Sequence, residues 1–494
     1  MSLEPFTTFL AARHTRILRN PEGAQRALLG RILKASSGSA AANALGISGD
    51  ESFAEFLTLP PRTYSFYSPL VERALDGDRF AFGREPIVAL GETSGSLGKP
   101  KLIPHTPASL ECVSRFAKRL LLFQVRDGKH YLPMRTKWLG VGASTNVRIE
   151  HGIRIGFISG LMYQIAQKNR RGFILPTPVV AAISDWDERI RRSVEEAWDQ
   201  RVGTMLGVPA YMMRFLEAAS VRANGKPLRE VWPLLGRVYY SGTSIAPYRD
   251  QMERALGRRL RVQGLYTATE GSFGAELDPM FPGEIHLMVD FAVFTFRDVE
   301  QPASRLLAAW EVSRGHRYEV FVTTLGGLIQ YQIGDVLEVT ETRPLCVRVV
   351  GRTEEEINIA TEKLSLKQAH AALEQVAPLV RLHKDRFIVV KDPTHPRRHL
   401  WIVEASVPIS DAHAAALIDG ALASINPSYA ALRQGDALLH RPRVVVCEPG
   451  CFDAYIAAGF ATRGQFKFRH LFPDAQTLTR TAGLEAFANH LGTA

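Results

Sequence analysis

Three segments in succession share one form, an apolar run that stops in glycine and hydroxyl residues. They span 203–209, 237–244 and 260–271, and end at Gly207-Val208-Pro209, Ser241-Gly242-Thr243-Ser244 and Thr267-Ala268-Thr269-Glu270-Gly271. Helical patterns follow the first at 210–221 and the second at 247–256. The alternation begins earlier, with a helix at 108–125, strands at 154–158 and 172–174, and helices at 160–168 and 185–200. Strands alternating with helices predict parallel β covered by helices. Their loops then converge at one edge of the sheet, where α/β proteins bind ligands.

A fourth such loop precedes these. The run Pro86 to Leu90 gives way to Gly91-Glu92-Thr93-Ser94-Gly95-Ser96-Leu97-Gly98-Lys99-Pro100-Lys101. Gly95 and Gly98 let the backbone turn where a Cβ would clash. The hydroxyls of Thr93, Ser94 and Ser96, with the loop's N–H groups, can surround phosphate oxygens. Lys99 and Lys101 add positive charge. The nucleotide-triphosphatase loop is a different pattern, because it closes on Gly-Lys-Ser/Thr and here Lys99 is followed by Pro100, which has no N–H. Read alone, such a loop is also a plain flexible turn.

From 285 the pattern becomes strands with short turns, which predicts a distorted antiparallel sheet closing a large domain. After Gly351-Arg352 the chain restarts as a small α/β unit, with a helix at 365–376, strands at 386–390 and 400–405, a helix at 409–425 and a strand at 443–446. The expected domains are 1–350 and 351–494. Residues 1–85 read as helical. The arginines and lysine at 13, 16, 19, 26, 31 and 34 read as a solvated basic helix.

The 494 residues are 46% hydrophobic and 22% charged, an ordinary globular balance with no apolar run near membrane-span length. A net charge of +10 suits anionic small substrates, and no basic block interleaved with aromatics points to nucleic acid. Four cysteines imply no disulfide framework and a reducing, cytoplasmic setting. Cys447 and Cys451 lack the partners of a zinc set.

The loop 93–101 resembles the phosphate loop of the adenylate-forming superfamily, and three further motifs follow in that superfamily's order. Tyr266-Thr267-Ala268-Thr269-Glu270-Gly271 resembles its adenine-side motif. The resemblance implies Tyr266 beside adenine, the hydroxyls of Thr267 and Thr269 toward phosphate, and Glu270 on Mg²⁺; read alone, Glu270 is a solvated carboxylate. Tyr331-Gln332-Ile333-Gly334-Asp335 resembles its ribose motif, with Asp335 on the ribose hydroxyls, although Gln332 stands where arginine is usual. Gly351-Arg352 resembles its hinge motif, whose arginine also reaches ribose.

A finer resemblance is to the plant auxin-responsive acyl acid amido synthetases of the Gretchen Hagen family and their bacterial relatives. It is strongest at 318–340. It extends to the loop at Gly242 and Thr243, to the post-hinge segment Thr361-Glu362-Lys363, and to Asn426-Pro427-Ser428-Tyr429 with Arg433. Gly464-Gln465-Phe466-Lys467 resembles its terminal lysine segment. The resemblance implies ATP and Mg²⁺, a small carboxylic acid and an amine as substrates, and Lys467 as the catalytic residue of adenylation. Gly242, Thr243, Arg352 and Lys363 join the nucleotide set. Leu206, Val208, Met212 and Met213 line the acyl pocket in this reading and are ordinary core in the alternative.

The expected fold is therefore α/β, with a large N-terminal adenylate-forming domain and a small mobile C-terminal domain. The expected activity is formation of an acyl-AMP followed by amide formation. An acyl-CoA synthetase or stand-alone adenylation enzyme, and a nucleotide-binding sensor or scaffold, are the alternatives.

Overall fold

The computed structural model describes residues 4–93, 101–128, 136–169, 172–242, 245–277, 283–352, 356–357, 359, 362, 364–433, 439–463, 468–472 and 474–491. Two compact units emerge, the first ending at Val349 and the second running from Val350.

The first unit opens with five helices, Glu4–Leu18, Pro21–Ser36, Ala40–Leu45, Phe53–Thr58 and Tyr64–Leu75. Side-chain oxygens set where three of them begin. Asn20 accepts from Gly23 N–H, Ser39 from Ala42 N–H, and Ser52 forms a capping box with Glu55. Gln25, wholly buried, ties the second helix to the sheet. Its Nε2 donates to the carbonyls of Val289 (2.6 Å) and Ala292 (2.8 Å), and its Oε1 accepts from Phe294 N–H at 2.8 Å.

Twelve strands of this unit form one sheet. One half is parallel, in the order Ile174–Leu175, Lys137–Val141, Val202–Gly207, Arg237–Tyr240, Arg261–Ala268. Helices Trp186–Ala197, Pro209–Ala223 and Ala246–Leu256 supply the crossovers. The third repeated segment differs from the sequence expectation. Its strand runs through Tyr266 and Thr267 to Ala268, which pairs with Gly271 across a two-residue turn. It therefore makes a hairpin, and the sheet turns antiparallel here. Pairing continues from Gly271–Ala275 to Ile285–Leu287 and Leu345–Arg352, and from Tyr331–Thr342 through Arg317–Thr324 and Ala292–Asp298 to Leu307–Ala308. The antiparallel strands expected from 285 are thus part of the same sheet.

A smaller sheet holds Leu102–His105, Ala89–Glu92, Ile153–Phe157 and Arg148–Glu150. Ala89–Glu92 runs antiparallel to Leu102–His105 and parallel to Ile153–Phe157. The glycine-hydroxyl run therefore starts and ends on neighbouring strands, and helix Pro107–Gly128 comes only after the second.

The second unit carries a sheet of Arg443–Cys447, His399–Ala405, Leu382–Lys391 and Leu471–Phe472. Side chains alternate between its faces. Phe387, Val389, Trp401 and Val403 join the core with helices Leu366–Val380 and Asp411–Ile425. Ile388, Val390, Leu400 and Ile402 join a second core with Phe452, Phe487 and Leu491. Both faces are covered, which is why 387–390 and 400–403 are apolar at every position. Among the described residues, no helix is long and apolar enough to cross a membrane.

Candidate nucleotide and acyl site

The glycine-hydroxyl loop is clamped at its neck. Thr93 N–H donates to the Lys101 carbonyl at 2.9 Å, and Lys101 N–H donates to Thr93 Oγ1 at 3.1 Å. A hydroxyl that accepts here keeps its hydrogen to donate to an anion. Ser94, Gly95 and Ser96 lie outside the described residues.

Both strands that enter this neck are locked to other motifs by backbone close approach. A Cβ on Gly91 would lie 2.7 Å from Thr269 Cγ2 and 3.1 Å from His105 Nε2, so a side chain there would have to displace the hairpin turn. A Cβ on Gly326 would collide with the Pro104 carbonyl oxygen. Thr106 Oγ1 donates to the Leu325 carbonyl at 2.8 Å, and Leu102 N–H donates to Tyr64 Oη at 2.9 Å. The loop neck, the turn Thr269-Glu270 and the segment leading to Asp335 thus form one packed cluster within the first unit.

His105 is the residue in this cluster that the sequence did not single out. It is 2% exposed, with Nδ1 3.3 Å from Ser109 Oγ. Burial pushes its imidazole down to about 4, against a smaller upward pull from the Thr269 backbone. It is a neutral spacer between the two motifs, and its histidine at the end of an apolar strand carries no local signal of that.

Asp335 lies on Tyr331–Thr342, 8% exposed. Tyr266 Oη donates to its Oδ2 at 2.7 Å, from 69 residues away. Tyr266 is buried, its ring 5.4 Å from that of Phe273. Just before this strand, Gln330 has φ +51, a left-handed conformation costing roughly 1–3 kcal/mol for a residue with a side chain. Four bonds hold it there: its N–H donates to Thr323 Oγ1 (2.8 Å), its carbonyl accepts from Arg62 N–H (2.8 Å), its Oε1 accepts from Thr295 Oγ1 (2.5 Å), and its Nε2 donates to the Phe56 carbonyl (3.2 Å). Gln332 donates to Glu319 Oε1 at 2.7 Å.

Thr267 sits in the strand and Glu270 at its turn, half-buried. No group of three or more His, Cys, Asp or Glu among the described residues is arranged to hold a metal. Mg²⁺ does not require one, since it is commonly held by one or two carboxylates with substrate phosphates and water. A single half-exposed carboxylate beside a phosphate-type loop neck fits that mode.

At the ends of the neighbouring parallel strands, Gly242 has φ +82 and faces Val208, whose Cγ2 would lie 3.6 Å from a Cβ there. Leu206, Val208 and Met213 are half-buried. Met212 is wholly buried beneath them, its Cγ against Gly207. Thr243 lies outside the described residues.

In the second unit, Lys363 and Lys467 lie outside the described residues, and Arg352 ends the strand Leu345–Arg352. The residues after Lys467 are anchored. Arg469 N–H donates to Tyr455 Oη (3.3 Å), its Nε donates to the Leu471 carbonyl (2.8 Å), and His470 Nδ1 lies 2.9 Å from the Phe387 carbonyl.

Residues 11–191 match the model of the GH3 family N-terminal domain, 286–352 that of the GH3 family central domain, and 367–476 that of the GH3 family C-terminal domain. The chain is similar to jasmonoyl–L-amino acid synthetase GH3.5 of Oryza sativa subsp. japonica, 22% identical over 481 residues, covering 80% of this chain and 82% of that protein. With indole-3-acetic acid-amido synthetase GH3.8 of Oryza sativa subsp. indica it is 29% identical over 151 residues, 28% of this chain. That match spans only 25% of the relative's length. The solved AtGH3.15 acyl acid amido synthetase in complex with 2,4-DB superposes with a TM-score of 0.80 at 18% identity, covering 97% of this chain and 95% of that one. A 2-hydroxyisobutyryl-CoA ligase in its postadenylation state, in complex with 2-HIB-AMP, gives 0.60 at 17% identity, covering 98% and 93%. At such identities the likeness is one of fold, here the adenylate-forming fold.

Proposed function

The chain belongs to the GH3 family, and from that premise we propose that it is an ATP-dependent acid–amine ligase. A carboxylate oxygen of a small acid attacks the α-phosphorus of ATP, the bond to the bridging oxygen breaks, and pyrophosphate leaves. An amine nitrogen then attacks the acyl carbon of the acyl-AMP. The carbon–oxygen bond to AMP breaks, the amine gives up a proton, and an amide forms. The rice relative named for joining jasmonate to an L-amino acid supports an amino acid as acceptor.

The observation that carries the reading is the cluster that joins the loop neck, the Thr269-Glu270 turn and Asp335. Thr93, with Ser94, Gly95 and Ser96, takes phosphate oxygens; Thr267, Thr269, Gly242 and Thr243 add to that set. Asp335, a carboxylate that can accept several hydrogen bonds, accepts from the ribose hydroxyls. Tyr266 borders adenine, and Arg352 and Lys363 complete the nucleotide contacts. Glu270 would hold Mg²⁺, which when bound offsets phosphate charge. Leu206, Val208 and Met213 face the acid, over Met212. Lys467 neutralises the charge that builds when two anions meet at the α-phosphorus. The acid site and most of the nucleotide set are assigned to residues 1–350, and Arg352, Lys363 and the catalytic lysine to 351–494. The four cysteines are free, which supports a reducing compartment such as the cytoplasm.

A pyrophosphate-exchange screen over carboxylic acids tests this. Exchange should be acid-dependent, with AMP as product, and Lys467→Ala should lower it by about 10²–10³. ADP and phosphate as products would sink the adenylation reading. With an accepted acid, pooled amino acids should yield an amide; a CoA thioester in its place favours a CoA ligase.

A further inference from the structure

Two of the four cysteines stand together in the second unit. Strand Arg443–Cys447 runs parallel to His399–Ala405, with Cys447 opposite Glu404. Opposite residues on paired strands share a face. This face carries the core that holds Ile402, Val445 and Phe452. Beyond the strand the chain turns at once. Cys451 N–H donates to the Glu448 carbonyl at 3.2 Å, and Gly450 takes φ +89. Helix Asp453–Arg463 then begins, with Asp453 N–H on the Gly450 carbonyl at 2.9 Å. The turn returns Cys451 to the face that Cys447 occupies. Both cysteines are half-buried and pack against the same core.

A buried carboxylate braces the pair. The Glu404 side chain is 2% exposed. Its Oε2 accepts from the Cys451 thiol at 3.6 Å and from Phe452 N–H at 3.4 Å. Arg386 Nη1 donates to its Oε1 at 2.9 Å and to Asp453 Oδ1 at 3.0 Å. His383 Nε2 lies 3.7 Å from the same Oε1. The two thiols share a hydrogen bond. That bond favours the Cys447 thiolate and lowers its value, against an opposing pull from burial. The same bond, burial and the nearby Glu404 carboxylate keep Cys451 protonated. One sulfur is thus disposed to attack, and its neighbour to wait as a thiol. His383, Glu404 and the two cysteines are not arranged to hold a metal.

A nucleophilic, partly exposed thiol beside a second one is the arrangement that oxidants convert to a disulfide. In a reducing compartment such disulfides are usually transient and redox-sensing or catalytic. We propose that Cys447 and Cys451 form a redox-sensitive dithiol, which hydroperoxides convert reversibly into a disulfide. The Cys447 thiolate attacks one oxygen of the hydroperoxide. The O–O bond breaks, an S–O bond forms, and the other oxygen leaves as water or an alcohol after taking a proton. The Cys451 sulfur then attacks the sulfenic sulfur. An S–S bond forms, the S–O bond breaks, and water leaves with the Cys451 proton. The cysteines lose two electrons and the hydroperoxide gains them. The site uses no residue of the nucleotide or acyl set, so it stands whether or not the ligase reading does.

Peptide mass after treatment of the full chain with hydrogen peroxide tests this, with free thiols blocked by N-ethylmaleimide in denaturant before digestion. The peptide that carries Cys447 and Cys451 should lose two hydrogen atoms and take no maleimide, and dithiothreitol should reverse the change. Cys112 and Cys346, both buried, should stay reduced and carry the label. Cys451→Ser should leave Cys447 at the sulfenic stage, where dimedone captures it. Cys447→Ser should slow oxidation of the remaining thiol by roughly tenfold or more, because that thiol is held protonated. The wild-type digest decides the cross-link by itself, so the result stands even where a variant fails to fold. Cys447 carried on to the sulfinic or sulfonic acid without a cross-link would overturn the proposal. So would a cross-link to Cys112 or Cys346, or thiols that stay unchanged at peroxide concentrations that oxidise free glutathione.

Discussion

The hydrogen bond between Tyr266 and Asp335 joins the two motifs assigned to adenine and ribose. It constrains the carboxylate before any nucleotide arrives, because Oδ2 is already engaged at 2.7 Å. Tyr266→Phe keeps the ring beside Phe273 and removes only the donor. A hydrogen bond to a charged group contributes about 1.5–3 kcal/mol, and about 1.4 kcal/mol is tenfold in affinity. Calorimetric titration should therefore show ATP binding weakened about tenfold in Tyr266→Phe, and more in Asp335→Ala, which would lose both ribose contacts proposed for it. An unchanged affinity in Asp335→Ala would make Asp335 a structural strand residue only. Asp335 was legible through the resemblance of Tyr331-Gln332-Ile333-Gly334-Asp335 to a ribose motif; that it sits inside strand Tyr331–Thr342 was not. Its bond to Tyr266 was not legible either, because nothing local links positions 69 apart.

Elements whose cause is local could be read directly. Helix Ala246–Leu256 and strand Arg237–Tyr240 lie where the spacing puts them, within a residue. The segment around Tyr266 could not be read this way. Its small and hydroxyl residues look like a loop, yet Ala268 and Gly271 pair across a tight turn and keep Tyr266 and Thr267 in a strand. Gly91 is similar: in sequence it merely ends a run, while in the fold it is the place where the hairpin turn and the loop strand touch. Gly91→Ala forces a Cβ to within 2.7 Å of Thr269 Cγ2. Overpacking of this kind typically costs about 1–3 kcal/mol. Urea unfolding should show that loss, and Thr269→Ser, which deletes the offending methyl and keeps the hydroxyl, should recover most of it. If Thr269→Ser recovers nothing, the contact is not what excludes a side chain at Gly91.

At the scale of the whole molecule, each unit buries its own neutral histidine, and this makes acid sensitivity local. His105 is held down to about 4 and His470 to about 3, burial being the main cause in both, with the neighbouring His370 adding to the shift of His470. An unfolded histidine titrates near 6.5. Above that value both states are neutral and stability is complete. As pH falls below it, the unfolded chain takes up protons that the folded chain refuses, so stability declines until the folded values are reached. For His105 the loss is on the order of 3 kcal/mol. The window from about 6.5 down to 4 also separates this from carboxylates such as Asp290 and Asp419, whose values are lowered and which protonate further down. His370, 4.8 Å from His470, is also lowered by burial and acts in the same direction. Native-state hydrogen exchange, corrected for intrinsic rates, reads each unit separately. Between pH 7 and 4.5, protection should fall in Ala89–Glu92 and Leu102–His105 and in Leu382–Lys391. His105→Gln should weaken the first response, to which His14, also lowered to about 4 chiefly by burial, contributes, and leave the second; His470→Gln should weaken the second and leave the first. Protection that stays level in the wild type across this window would mean that neither imidazole is buried neutral, and one substitution that flattens both would mean that the units open as a single cooperative body.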